Sequence, residues 1–225
     1  MNASGPETAE ATAATARRIL SEYGETYAHE AGIRLRDTPA PLYRLLVLCV
    51  LLSVPIRAPT AVGAARELFA CRLRTARRMA DSRWQDRVDA LGRAGYRRYD
   101  ESTATALGDG ARLLLTRWKG DLRMLRDEAD GEPARVRELL QEVPRIGPTG
   151  ADIFCREVQA VWPGIRPFAD ARVLEAASGL GLPRTPQALA ALVPAADFVR
   201  LADGLVRVSL SPDAAGRLRA TPGGR

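Results

Sequence analysis

Two short segments carry the residues whose types and spacing could do chemistry. Residues 144–148, Pro-Arg-Ile-Gly-Pro, lie between two stretches in which apolar residues recur at helical spacing, so they predict a tight hairpin between two helices. Such a hairpin leaves backbone N–H groups unpaired at the start of the second helix, where they can bind a phosphate without reading a sequence. An ordinary connection between two helices is the alternative. The second segment, residues 162–174, is a loop rich in proline and glycine that places Asp170 just before another apolar-periodic stretch.

Asp170 is compatible with two roles. Aspartate is a favoured N-cap, because its side chain accepts a hydrogen bond from a first-turn amide, and this contact is worth about 1 kcal/mol. A carboxylate can also stabilise positive charge that develops in a transition state, and it can orient or deprotonate an attacking water. The residues alone leave both roles open.

Other catalytic and metal-binding groups are scarce in this sequence. His29 is the only histidine, which excludes two-histidine metal centres and disfavours histidine-dependent nucleophiles. The three cysteines are far apart and contain no CxxC pair, so they form neither a disulfide framework nor a zinc or iron–sulfur site by themselves. Lys119 is the only lysine and hence the only side chain that could form a Schiff base. We therefore expect no metal and no cofactor.

Positive charge is concentrated in one part of the chain. The protein has 33 basic and 27 acidic residues, a formal net charge of +6. Within residues 71–98, nine arginines stand against three aspartates, a local surplus equal to that of the whole chain. The segment is either a set of solvated helix faces or a surface that contacts phosphates. In the second case it would form one electrostatic footprint with the hairpin.

The elements that must position these residues are predicted to be helices, so the fold class is all-α. Residues 42–54 are apolar on nearly every face, which indicates a helix buried in the middle of a helical domain. The longest unbroken apolar stretch, residues 45–52, is far shorter than the roughly 20 residues of a membrane-spanning helix. We expect a cytoplasmic protein that does not contact a membrane. Other predicted helices cover 14–31, about 60–70 with Thr60 as N-cap, 83–93, 102–118 and 132–142.

Taken together, the two segments resemble the helix-hairpin-helix DNA glycosylase superfamily, the endonuclease III-like group. In that family a leucine-proline-glycine-apolar-glycine hairpin is followed, after one helix and a proline-containing loop, by an aspartate that opens the next helix. Here residues 143–147 stand at the hairpin and Asp170 stands at the aspartate. Less specific similarity extends over residues 42–210 and includes Leu51-Leu52-Ser53, the glycine-aromatic-basic turn at residues 95–98 and a closing helix at 194–210.

Three departures from the family pattern limit what the resemblance implies. Bifunctional members have a lysine where Thr149 stands, so β-lyase chemistry by the family route is excluded. No cysteine follows Cys155, so the four-cysteine iron–sulfur cluster of many members is absent. Arg145 replaces the first hairpin glycine, and a segment containing Pro55 replaces the glutamine common after leucine-leucine-serine, which leaves the base-flipping wedge unassigned.

The resemblance implies a two-lobed, all-α helix-hairpin-helix glycosylase-like fold. The expected organisation is a disordered segment 1–12, a helical segment 13–40 packed on the C-terminal lobe, a helical lobe 41–140, a hairpin and aspartate-loop lobe 141–210, and a loose tail 211–225. It also implies a monofunctional base-excision DNA glycosylase with Asp170 as its catalytic carboxylate. Beyond a monovalent cation that the resemblance allows at the hairpin carbonyls, it implies no cofactor.

The implied partner is double-stranded DNA, bound by a monomer associated with the nucleoid. Tyr96 and Tyr99 beside two arginines could contact a DNA backbone or stack on a base, although such aromatics are more often packing residues. The expected DNA contacts are Arg145, Ile146, Gly147, Thr149, Gly150, Tyr96, Arg97 and Arg98.

Two rival interpretations belong to other classes. One is a non-catalytic helix-hairpin-helix DNA-binding protein, which the missing lysine, the missing cluster and the altered wedge favour. The other is a helical interaction protein without nucleic acid. It would be preferred only if the arginines of residues 72–98 and the hairpin tip pointed to different faces.

Overall fold

The computed structural model describes residues 6–219, and this part of the chain consists of helices, turns and loops without a strand. The all-α prediction is therefore confirmed. The helices are α1 Pro6–Tyr23, α2 Tyr27–Glu30, α3 Pro39–Leu52, α4 Ala58–Ala70, α5 Ala76–Asp81, α6 Trp84–Arg93, α7 Asp100–Trp118, α8 Leu122–Glu128, α9 Pro133–Leu140, α10 Pro148–Val158, α11 Ala171–Gly179, α12 Pro186–Ala190, α13 Phe198–Ser209 and α14 Pro212–Arg219. None of these described helices combines the length and the apolarity needed to cross a bilayer.

The chain divides into two compact units at places that differ from the expected boundaries. Tyr27–Arg166 form the larger unit, whereas the smaller unit combines the chain up to Thr26 with the chain from Pro167 onwards. The expected boundary between residues 140 and 141 is not observed, because α10 packs on both α9 and α3 and so joins the hairpin to the larger unit. The expected segment 13–40 is also divided, since α1 belongs to the smaller unit and α2 to the larger one.

The smaller unit is built on α13, whose apolar residues are buried against α1 and α11. Gly204 permits the close approach of α1, because a Cβ there would lie 2.7 Å from Ile19 Cγ2. α14 also packs on α13, and its Ala214 and Leu218 are buried. Residues 212–219 are therefore helical where a loose tail was expected, and residues 6–12 belong to α1 where disorder was expected. The rest of both predicted segments, 1–5 and 220–225, lies outside the described residues.

α3 is the central helix of the larger unit. As predicted, it is buried along most of its length, and it contacts α4, α7, α8 and α10. The next helix, α4, begins two residues before the predicted cap, at Ala58, so Thr60 lies inside its first turn. Pro59 explains the earlier start, because proline is favoured at the first helical positions and loses no hydrogen bond there.

α7 carries two glycines that let neighbouring groups approach its backbone. A Cβ at Gly110 would lie 3.0 Å from Val143 Cγ1, at the base of the hairpin. A Cβ at Gly108 would lie 2.8 Å from Nη2 of Arg87. Arg87 is buried and donates to the carbonyl oxygens of Ala104 and Ser82, both at 2.8 Å. One of the nine arginines in residues 71–98 thus ties helices together and does not contribute to a surface.

Candidate nucleic-acid interface

The predicted hairpin is present between α9 and α10. Arg145 at its tip has a left-handed backbone with φ of +66°, a conformation that costs a non-glycine residue roughly 1–2 kcal/mol. The Ile146 amide then donates to the Val143 carbonyl at 2.9 Å, and the Ile146 side chain is buried under the turn. Gly147 is the N-cap of α10. The chain therefore makes its sharp turn with arginine where the resembled family has glycine.

The start of α10 presents unpaired backbone donors. The first hydrogen bond that enters this eleven-residue helix runs from the Ala151 amide to the Gly147 carbonyl at 3.0 Å. Within the described part of the chain, the amides of Gly147, Thr149 and Gly150 have no hydrogen-bond partner. Pro148 has no N–H, and Thr149 is exposed. Amides at a helix N-terminus combine unsatisfied donors with the positive end of the helix dipole, which favours an anion.

Arginine side chains surround the hairpin tip. Arg145 donates from Nη2 to Ser102 Oγ at 2.6 Å, and its guanidinium carbon lies 6.0 Å from the centre of the Tyr99 ring. The guanidinium carbon of Arg98 lies 5.3 Å from the same ring. Arg97 and Arg98 are exposed, and neither they nor Arg145 forms an ion pair with any described residue. We call Arg97, Arg98, Tyr99 and Arg145 the hairpin-end cluster.

Three of the expected DNA contacts are buried. Tyr96 has no exposed surface, and its hydroxyl donates to the Leu51 carbonyl at 3.3 Å, so the prediction of a DNA contact through its side chain is corrected to a packing role. Burial also raises the pKa of Tyr96. The Ile146 side chain fills the underside of the hairpin, and Gly150 packs against α3, since a Cβ there would lie 2.3 Å from Ser53 Oγ. Ile146 and Gly150 thus form the buried side of the hairpin, and Tyr96 packs on α3.

The remaining expected contacts come together at the surface of the larger unit. Arg98 and Arg145 flank Tyr99, Arg97 is next to them in the chain, and Gly147 and Thr149 open α10. Ser102 was missed by sequence reasoning. It lies in the first turn of α7, and no local pattern indicates that it pairs with a residue 43 positions away.

The arginines of residues 72–98 do not all lie beside the hairpin, so the segment and the hairpin do not form one continuous positive footprint. The start of α7 meets the hairpin through Ser102, whereas its far end meets the start of α5, where a Cβ at Gly120 would lie 3.6 Å from Ala76 Cβ. With a rise of 1.5 Å per residue, these two ends of α7 are roughly 25 Å apart. Arg72 and Arg74, which directly precede α5, therefore lie near the far end. Arg97 and Arg98 accompany the hairpin, and Arg83 adjoins Trp84, whose Nε1 donates to Thr105 Oγ1 at 3.0 Å near the start of α7. Lys119, the C-cap of α7, is also at the far end, remote from Thr149.

Asp170 belongs to the smaller unit and is the N-cap of α11. Its Oδ1 accepts a hydrogen bond from the Val173 amide at 3.1 Å, and the residue is only 8% exposed. α11 in turn packs on α13. The capping role that the sequence allowed is thus observed, and it fixes one carboxylate oxygen at the start of the helix.

Metal binding has no support from the residues that the structure describes. No group of three or more histidine, cysteine, aspartate and glutamate side chains among them could hold a metal ion. The resemblance allows a monovalent cation at the hairpin carbonyls. The carbonyl of Val143 accepts the Ile146 amide and that of Gly147 accepts the Ala151 amide, and each oxygen keeps a second lone pair.

No protein-family model matches this sequence, and no curated protein is significantly similar to it.

Proposed function

We propose that this protein binds double-stranded DNA through the hairpin and acts as a monofunctional base-excision DNA glycosylase. The observation that carries the proposal is the left-handed backbone of Arg145. This conformation supports a helix-hairpin-helix turn that keeps its shape although arginine replaces the family's first glycine. The arginine side chain also adds a positive charge at the hairpin tip, where we propose that a phosphate binds. A protein with this role would act on the nucleoid in the cytoplasm, as a monomer.

Backbone amides and arginines supply two kinds of phosphate contact in this proposal. The amides of Gly147 and Thr149 donate to one phosphate at the start of α10, as helix N-termini do in many anion sites. Arg98 and Arg145 pair with phosphates as charged forks, and stacking on Tyr99 limits their freedom. Contacts of this kind position a duplex without reading its sequence, which suits an enzyme that searches for damage.

Asp170 is the carboxylate proposed for the chemistry. When the bond between a base and its deoxyribose breaks, positive charge develops on the sugar, and a nearby carboxylate stabilises it. The base leaves with the electron pair of the broken bond and water adds to the anomeric carbon. The proton of that water passes to the carboxylate and then to the base, which is released neutral. The product is an intact strand with an abasic site. Thr149 has no amine, so the hairpin offers no Schiff-base route to strand cleavage.

A non-catalytic DNA-binding protein is the second candidate, and one observation favours it. Asp170 is largely buried and its Oδ1 is already engaged in capping α11. A carboxylate held in this way can be a structural feature alone. The hairpin argument is the same for both candidates.

Excision assays on defined lesions separate the two candidates. The full chain is incubated with a panel of duplexes that each carry one damaged base, and each product is divided between a neutral and a hot alkaline treatment. Strand cleavage only after alkali supports a monofunctional glycosylase. Cleavage without alkali contradicts the absence of lyase chemistry. Duplex binding without excision of any lesion favours the binding protein, and the absence of both removes the nucleic-acid proposal.

A further inference from the structure

The far end of α7 adjoins a second positive site, distinct from the hairpin-end cluster. A surface pocket of about 410 Å³ lies between the end of α4 and the start of α5. Its lining contains three arginines and no acidic residue: Ala70, Arg72, Arg74, Thr75 and Arg78. Pockets of a few hundred Å³ are large enough to hold a small ligand.

The backbone around the pocket sets the positions of the Cα atoms of its arginines. Arg72 follows the end of α4 with a left-handed φ of +64°, and its amide donates to the Phe69 carbonyl at 3.1 Å. Arg74 donates from Nε to the same carbonyl at 2.7 Å. Thr75 caps α5 by accepting the Arg78 amide at 3.3 Å. A left-handed turn and a helix cap therefore bring three arginines to one concave surface.

These arginines lack the partners that others in the same segment have. Arg83 pairs with Asp86 at 2.6 Å, and Arg93 pairs with Glu67 at 2.7 Å. Among the described residues, by contrast, no carboxylate pairs with Arg72, Arg74 or Arg78. Arg74 uses only its Nε, so the outer nitrogens of all three guanidinium groups are available to a ligand.

A fourth arginine behind the pocket adds to the uncompensated charge. The guanidinium carbon of Arg44 lies 5.8 Å from the centre of the Phe69 ring, and its Nε is buried without a hydrogen-bond partner. Burial, and after it the positive charge of Arg74, lowers the pKa of Arg44. Like charges held together without a counter-charge destabilise one another, and a bound anion would relieve that repulsion.

We propose that this pocket binds the dianion of a phosphate monoester. Guanidinium groups match the oxygen geometry of phosphate and bind it through paired hydrogen bonds, and the Thr75 hydroxyl can donate another. The site is independent of the hairpin, because the two lie at opposite ends of α7. A small phosphorylated molecule and the 5′-phosphate of a nucleic-acid strand present the same group.

Calorimetric titration of the full chain with inorganic phosphate and with pyrophosphate, in a chloride buffer of low ionic strength, tests the proposal. The pocket variant combines Arg72→Asn with Arg78→Gln. The hairpin variant combines Arg98→Gln with Arg145→Asn. Each removes two positive charges and places asparagine, which tolerates left-handed backbone, at a residue of positive φ. Circular dichroism of both variants checks that they remain folded, so that a loss of binding can be distinguished from a loss of structure.

The parent and the hairpin variant are expected to bind both anions. The pocket variant should bind them at least about tenfold more weakly, since hydrogen bonds between charged groups are lost. No binding by the parent, or equal weakening in both variants, overturns the proposal. Competition with a 5′-phosphorylated oligonucleotide and with its 5′-hydroxyl form identifies the source. Displacement by the first alone indicates a strand end, and displacement by neither indicates a small molecule. Duplex binding is measured in parallel, so failure of the hairpin proposal is seen separately.

Discussion

Nη2 of Arg145 donates to Ser102 Oγ at 2.6 Å, which ties the hairpin tip to the first turn of α7. The guanidinium carbon of Arg145 lies 6.0 Å from the centre of the Tyr99 ring, and that of Arg98 lies 5.3 Å from the same point. The tip of the hairpin is therefore positioned by a helix that is distant in sequence. The backbone of Arg145 sets the shape of the tip, and its side chain contributes to the charge there. Shape and charge can therefore be altered by different substitutions.

Glycine and valine at residue 145 are expected to separate those two roles. Arg145→Gly removes the side chain but suits the positive φ, so the free energy of unfolding should change by less than about 1 kcal/mol. Arg145→Val forces a β-branched residue into the same backbone and should lower it by about 1–3 kcal/mol. Both should weaken duplex binding. Urea denaturation checks the stability, and equal destabilisation by both would show that the left-handed turn is not retained.

Gly150→Ala is expected to destabilise the hairpin through a specific clash. The new Cβ would lie 2.3 Å from Ser53 Oγ, which is held by its hydrogen bond to the Cys49 carbonyl at 2.6 Å. Overpacking of this kind costs about 1–3 kcal/mol. Gly147→Ala is the matched control, because no heavy atom lies within 4 Å of a Cβ built there.

The clash at Gly150 also predicts a rescue. Combining Gly150→Ala with Ser53→Ala removes the oxygen that the new methyl group meets, so the double variant should regain part of the lost free energy of unfolding. Urea denaturation of the two single variants and the double variant gives the coupling energy. Strict additivity would contradict the contact between the start of α10 and the end of α3.

Asp170→Asn separates capping from catalysis. Asparagine caps helices about as well as aspartate, so folding and duplex affinity should change little. If the negative charge stabilises a cationic transition state, excision should fall by about two or more orders of magnitude. Single-turnover kinetics on the lesion that the parent excises give the comparison. An unchanged excision rate would reduce Asp170 to its observed capping role.

The cysteines predict a simple pattern of thiol reactivity. Cys71 is exposed, whereas Cys49 and Cys155 are buried, and burial raises the pKa of Cys155 to about 12. At mildly alkaline pH a thiol reagent should label Cys71 rapidly in the native protein and reach the other two only after denaturation. Cys71→Ser should remove the rapid phase. Rapid labelling that persists in this variant would show that a buried thiol opens to solvent.

The thiol of Cys155 also gives stability a pH dependence. Its ordinary pKa is 9.0, so above that pH the unfolded chain loses a proton that the folded state keeps up to about pH 12. Its contribution to the free energy of unfolding is therefore full below about pH 9 and is lost as the pH rises towards 12. Cys155→Ala should flatten this part of the profile in urea denaturation. An identical slope in parent and variant would contradict the burial of the thiol.

Periodicity predicted the helices and the hairpin because apolar spacing and proline–glycine turns are local signals. The surroundings of single side chains could not be predicted in this way. Tyr96 is adjacent to two exposed arginines, yet the positive φ of +75° at Gly95 turns the chain so that the ring packs towards Leu51. The separation of Arg72 from the hairpin depends on the length and direction of α7, which the order of residues alone does not give.

Salt-dependent binding of a short lesion-free duplex with 5′-hydroxyl ends, followed by fluorescence anisotropy, tests the hairpin as a DNA site most directly. The logarithm of affinity should fall linearly with the logarithm of salt concentration, with a slope of about −0.9 per phosphate neutralised. The hairpin variant should lower the magnitude of that slope by about 1 for each phosphate contact that it loses, and the pocket variant, with the same change in charge, should leave it unchanged. Absent or salt-independent binding by the parent, or the same loss in both variants, would contradict the account.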